Sequence, residues 1–193
     1  KTLPSIAAAD ALGLHTTAVL PASLKGNYAK ELEKHGPTNI PDLATTSLQK
    51  VTRDGGLAGP TGLMIVDEAH RVRDAASEGN KALRGVDAKK RLLLTASPTY
   101  NHPVDLSSLV NIAAGAHVLP TDKRTFEGKY VNHLTVNPGF VDRVFRGVKP
   151  GARSELKNTE ELAAQLSKWV DYHANAPGGD FPTRIDEEVL VPL

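Results

Sequence analysis

The apolar positions of this chain fall into two rhythms that alternate along its length. Residues 16–20 (TTAVL), 63–66 (LMIV) and 91–95 (RLLLT) are short β-branched or leucine-rich runs, the pattern of strands buried on both faces of a parallel sheet. A weaker run covers 42–46. Between the runs lie stretches with helical spacing. Residues 3–12 are Ala-rich and stop at Gly13; 23–35 begin with Ser23 as a helix cap and stop at Gly36-Pro37. Residues 73–83 stop at Gly85, and 103–114 carry Pro103 in the first turn. Gly55-Gly56 and Gly59-Pro60 mark a loop ahead of the third run. Strands alternating with helices predict an α/β domain, a parallel sheet with crossover helices on both faces, over residues 1–115.

Past Gly115 the rhythm changes. Residues 121–131 and 159–173 read as helices, whereas 137–153 are rich in Gly, Pro and Arg and have no clear period. A mostly helical, partly irregular extension over 116–180 is the expectation, and no internal repeat or low-complexity tract interrupts it.

The third strand leads into the chemistry. LMIV is followed by Asp67, Glu68, Ala69 and His70, so an apolar strand delivers two adjacent carboxylates to the carboxyl edge of a sheet, where ligands of open α/β sheets bind. Nucleotide hydrolysis uses such a pair. Asp67 can hold Mg²⁺ through water while Glu68 orients or deprotonates the attacking water, because phosphoryl transfer depends on positioning and charge neutralisation. A buried strand followed by a solvated acidic turn has the same local signature. The opening dipeptide adds weight to the first reading: Lys1-Thr2 feeds directly into a helix, as the last two residues of a phosphate-binding loop do, the Lys reaching phosphates and the hydroxyl ligating Mg²⁺. The chain is therefore expected to be a fragment cut inside such a loop.

Composition narrows the classes. With 193 residues the chain can bury a real core, and its lack of Cys excludes disulfides and thiolate metal sites. Seven His without paired ligand spacing offer no zinc site, and no apolar run approaches membrane-spanning length. A formal charge of +1 is neutral on nucleic acid, so any such contact has to come from local patches.

Four segments in order, with the closing stretch, resemble one family: the first RecA-like lobe of the Swi/Snf-type ATPases of helicase superfamily two. LPASLKGNYAKELEKH, with Pro21, Ser23, Leu24, Asn27, Tyr28 and Glu31, is similar to motif Ia, although the family usually has Trp where Tyr28 stands. LATTSLQKV, with Thr45 and Thr46, is similar to motif Ib; LMIVDEAHRVRD matches motif II; RLLLTASPTYNHPVDLSSLVNI resembles motif III with Asn101, Asp105, Leu106 and Leu109 downstream. FPTRIDEEVLVPL resembles the linker and first strand leading into a second lobe, which assigns 181–193 to a linker. Motif III departs from the family's Thr-Gly-Thr-Pro, reading Thr95-Ala96-Ser97-Pro98, with hydroxyls kept at both ends.

The resemblance implies an ATP-dependent DNA translocase or helicase-like ATPase with ATP and Mg²⁺ as cofactors. Its partners are double-stranded DNA held without regard to sequence and a second RecA-like lobe of the same chain; no membrane is involved. Lys1, Thr2, Asp67 and His70 then face the nucleotide, Thr2 and Asp67 serve the metal, and Glu68 with Asp67 carries hydrolysis. His70 links the nucleotide to Thr95 and Ser97, with Asn101 in the same coupling set. Ser23, Lys25, Thr45 and Thr46 are candidates for the DNA backbone, as phosphate contacts suit sequence-independent binding. So are Arg143, Arg146, Lys149 and Arg153, an acid-free basic run that reads equally as a solvated face. Arginine fingers belong to the second lobe in this family, so the fragment alone is expected to hydrolyse ATP poorly. An intracellular location, cytoplasmic or nucleoid-associated, follows. A restriction-type or DEAH helicase motor, a non-catalytic nucleic-acid-binding or scaffolding module, and a metabolic P-loop kinase remain as alternatives. The last has no use for motifs Ia, Ib and III, and a pure scaffold has none for two adjacent acids at a sheet edge.

Overall fold

The computed structural model describes residues 1–99, 102–136 and 151–172. Helix α1 (Thr2–Leu12) comes first, followed by strand β1 (Thr16–Leu20), helix α2 (Lys25–His35), strand β2 (Leu43–Ser47) and helix α3 (Leu48–Asp54). Strand β3 (Thr61–Asp67), helix α4 (Glu78–Arg84), strand β4 (Ala88–Leu94) and helix α5 (Val104–Ala114) complete the core. The sheet is parallel with order β2-β1-β3-β4. Chain order reverses direction between β1 and β3. That is the switch point at whose carboxyl edge a crevice forms.

Alternation along the strands fills both faces. Ala18, Leu20, Leu63 and Ile65 pack under α1 and α2 with Ile6, Ala9 and Tyr28. Val19, Met64 and Val66 point the other way, onto Val51, Leu83, Leu109 and Ile112 from α3, α4 and α5. Each such fully buried aliphatic side chain is worth about 1.5–3 kcal/mol relative to exposure. The central strands read as continuous apolar runs because both of their faces are covered.

Several expectations need correction. Ser23 does not cap α2: it lies in a 3-10 turn, Ala22–Leu24, started by extended Pro21, and no side chain caps the helix behind it. The helix expected from residue 73 starts only at Glu78. Ala69–Val72 form a 3-10 turn, the Asp74 carboxylate accepts from the Ala76 amide, and Ser77 caps α4 through the Asn80 amide. Such local side-chain bonds compete with helix formation. Helix α3 is absent from the sequence reading, although Ser47 caps it through Lys50 N and Gly55 ends it at φ 73°.

Beyond α5, helix α6 (Lys123–Tyr130) matches expectation, whereas the segment read as aperiodic ends in a strand. Strand β5 (Val131–Val136) pairs antiparallel with β6 (Gly151–Leu156), and helix α7 (Thr159–Leu166) is shorter than its pattern suggests. Phe126, Tyr130, Val131 and Leu162 pack with Val110 of α5, so this extension is seated on the core through one helix. Among the described residues no helix is long and apolar enough to cross a membrane.

Candidate nucleotide and nucleic-acid site

Every strand of the core ends at the same edge, and the acidic tetrad sits at its centre. β3 closes with Asp67, whose neighbour across the sheet is Leu94, the residue before Thr95. Asp67 accepts a hydrogen bond from the Glu68 amide at 2.9 Å. Glu68 then takes a left-handed backbone, φ 52° and ψ 46°, a conformation that costs a non-glycine residue about 1–2 kcal/mol. That turn swings the carboxylate away from the strand direction and toward the start of α1.

There it meets Lys1. The Nζ donates to Glu68 Oε1 at 2.7 Å, with both side chains about one-third exposed. The bond from Lys1 holds the Glu68 carboxyl below its ordinary range, and the ammonium, His70 and Arg71 charges add to the effect against a smaller opposing cost of burial. The start of α1 has no side-chain cap and no acidic residue in its first turn, so its free N–H groups and positive dipole end are left for an anion.

His70 Nδ1 lies 3.2 Å from Glu68 Oε2 and 3.4 Å from Thr95 Oγ1. A hydrogen on Nδ1 would face both oxygens, the Glu68 carboxylate only accepting. Thr95 Oγ1 accepts from the Ser97 amide at 3.1 Å, which ties the turn after β4 into the same hydrogen-bonded chain. Ser97 joins through its backbone, and its side chain is exposed. Asn101 lies outside the described residues.

The turn bearing the tetrad is braced from behind. Asn80, fully buried, donates to the Val72 carbonyl at 2.7 Å and to the Ser108 hydroxyl of α5. Arg73 donates to the His70 carbonyl and faces Asp105 of α5 at 3.7 Å. Neither brace is visible in the sequence, where Asn80 is one polar residue in a polar stretch.

A second feature of this domain is an open groove lined by Lys25, Thr45, Thr46, Lys50 and the carboxylate of Asp54, together with the 56–60 loop. It brings three of the expected backbone contacts together and adds Lys50, placed there by the unexpected α3. Ser23 is exposed and lies outside it. Arg143, Arg146 and Lys149 fall outside the described residues; Arg153 is on β6, opposite Leu134.

Among the described residues no three His, Cys, Asp or Glu cluster tightly enough to cage a metal. Thr2 and Asp67, the residues expected to serve a metal, offer the oxygen donors Mg²⁺ takes, one or two from protein together with water and substrate phosphates.

The SNF2-related domain family matches residues 22–172. The chain belongs to that family. It is 40% identical over 141 residues to the DNA repair and recombination protein RAD54 of Oryza sativa subsp. japonica, covering 70% of this chain and 13% of the relative. It is 27% identical over 153 residues to the DNA excision repair protein ERCC-6-like of Danio rerio, covering 64% of this chain and 10% of the relative. Among solved structures it is similar to the Sulfolobus solfataricus SWI2/SNF2 ATPase core in complex with dsDNA, at TM-score 0.56 and 21% identity, over 88% of this chain and 36% of that one. That likeness shows the RecA-like lobe fold. The chain spans 10% to 13% of the length of these curated relatives.

Proposed function

We propose that this chain is the first nucleotide-binding lobe of an ATP-driven translocase acting on double-stranded DNA. The observation that carries the reading is the ion pair between Lys1 and Glu68 at 2.7 Å, set beside Asp67 and the uncapped start of α1. In this reading Lys1 and the free amides of α1 bind the phosphates, while Thr2 and Asp67 hold Mg²⁺. Glu68 takes the proton of the attacking water. The bound metal neutralises phosphate charge.

Phosphates draw Lys1 away from Glu68, which releases the carboxylate for its role as base. His70 then carries the state of Glu68 to Thr95 and the turn after β4. The groove of Lys25, Thr45, Thr46 and Lys50 follows a DNA backbone by charge and hydroxyl contacts, without reading bases. A solved SWI2/SNF2 core of similar fold is described in complex with dsDNA, which supports this assignment. A second lobe of the same protein supplies the arginine that completes the site.

The test is ATP turnover by the full-length protein with and without double-stranded DNA. Stimulation by duplex of unrelated sequences is expected; turnover indifferent to DNA would remove the motor reading while leaving a nucleotide hydrolase.

A further inference from the structure

Tyr28 stands on α2 one turn beyond Lys25, yet its ring is buried, 2% exposed, beneath α1. Its hydroxyl lies 3.1 Å from the Ser5 hydroxyl, and Ser5 itself is fully buried. The Ser5 hydroxyl in turn donates to the Thr2 carbonyl at 2.7 Å. A serine has one proton to give, and it is committed to Thr2. Tyr28 is therefore the donor, and the bonds run in one direction: Tyr28 to Ser5 to the first turn of α1.

We infer that Tyr28 is a positioning residue for the metal-binding end of α1, linking the helix whose first residue lines the nucleic-acid groove to the residue that ligates Mg²⁺. The inference rests on Thr2 being that ligand. Ser5 fixes the Thr2 carbonyl, and with it the backbone from which the Thr2 hydroxyl projects. Tyr28 fixes Ser5. A displacement of α2 on binding a nucleic-acid backbone thus reaches Thr2 through two hydrogen bonds.

The experiment compares Tyr28→Phe, Ser5→Ala, the double variant and Thr2→Ala in the full-length protein, reading equilibrium ADP affinity with Mg²⁺ and with chelator, and melting temperature without nucleotide. Tyr28→Phe removes one oxygen and keeps the ring. It is expected to weaken Mg²⁺-ADP binding by about two- to tenfold, the span of one neutral hydrogen bond. Affinity for metal-free ADP should be unchanged. Ser5→Ala should lose at least as much, and adding Tyr28→Phe to it should cost nothing further, because the relay is already cut. Equal losses with and without Mg²⁺, no loss in Tyr28→Phe, or additive losses in the double variant would overturn the inference. Thr2→Ala separates the two levels. If it loses no Mg²⁺-dependent affinity, the metal assignment of Thr2 fails; if it does and the other variants do not, the relay alone fails.

Discussion

Lys1 Nζ sits 2.7 Å from Glu68 Oε1, so the proposed general base is paired with the ammonium proposed to reach the phosphates. In the proposed reading a triphosphate competes with Glu68 for that ammonium, so nucleotide binding weakens the pair.

The same pair sets a pH dependence of stability. The folded-state carboxyl of Glu68 lies below its ordinary range because Lys1 donates to it, so the folded chain binds fewer protons here than the unfolded one. Its stabilisation is present above the ordinary carboxylate range and is lost as pH falls through the lowered folded value. In urea unfolding without nucleotide, wild type should exceed Glu68→Gln by at most about 1 kcal/mol at neutral pH, as the pair is partly solvated. The difference should shrink as pH falls below the ordinary carboxylate range and vanish once the lowered folded value is passed. A gap that persists in acid would mean the glutamine acts through packing instead.

The groove predicts a salt dependence. Replacing Lys25 and Lys50 together with Ala should make the log–log slope of duplex affinity against salt shallower by about 0.9 for each phosphate no longer neutralised. Titrations at several salt concentrations measure this. An unaltered slope would place DNA elsewhere on the domain.

Two glycines that end helices should respond oppositely. Gly115 ends α5 at φ 66°, and a Cβ there would collide with the Arg91 guanidinium. Gly85 ends α4 at φ −76° with its nearest neighbour at 3.5 Å. Gly115→Ala should destabilise by more than about 1 kcal/mol, whereas Gly85→Ala should be neutral or stabilising by up to about 1 kcal/mol through the unfolded state. Denaturant midpoints decide between them.

Much of this is legible in the chain itself. Uninterrupted apolar runs ending at Leu20 and Val66 mark β1 and β3, which are covered on both faces, whereas the run ending at Leu94, expected to be buried in the same way, belongs to the edge strand β4 and is only partly buried. Asp67 and Glu68 are legible as edge acids because an apolar run leads straight into them. Distant partners are not legible. Nothing in the sequence near Asn80 or Ser5 announces Val72 and Tyr28, since tertiary hydrogen bonds leave no periodic trace. Helix α3 escapes a reading by periodicity although Ser47 and Gly55 bracket it, since seven residues with one buried position, Val51, make no visible amphipathic stripe. β6 escapes it too, because its sequence, GARSEL, lacks alternation and its place is set by pairing with β5.

If Glu68 is the hydrolytic base of a DNA-stimulated ATPase, the full-length Glu68→Gln variant binds ATP without turning it over. The amide keeps the shape of the carboxylate but cannot take the proton of water. Steady-state ATP turnover in the presence of duplex DNA should fall at least about a hundredfold, the lower range for loss of a general base, while ATP binding is retained. Turnover at the wild-type rate in that variant would contradict the account.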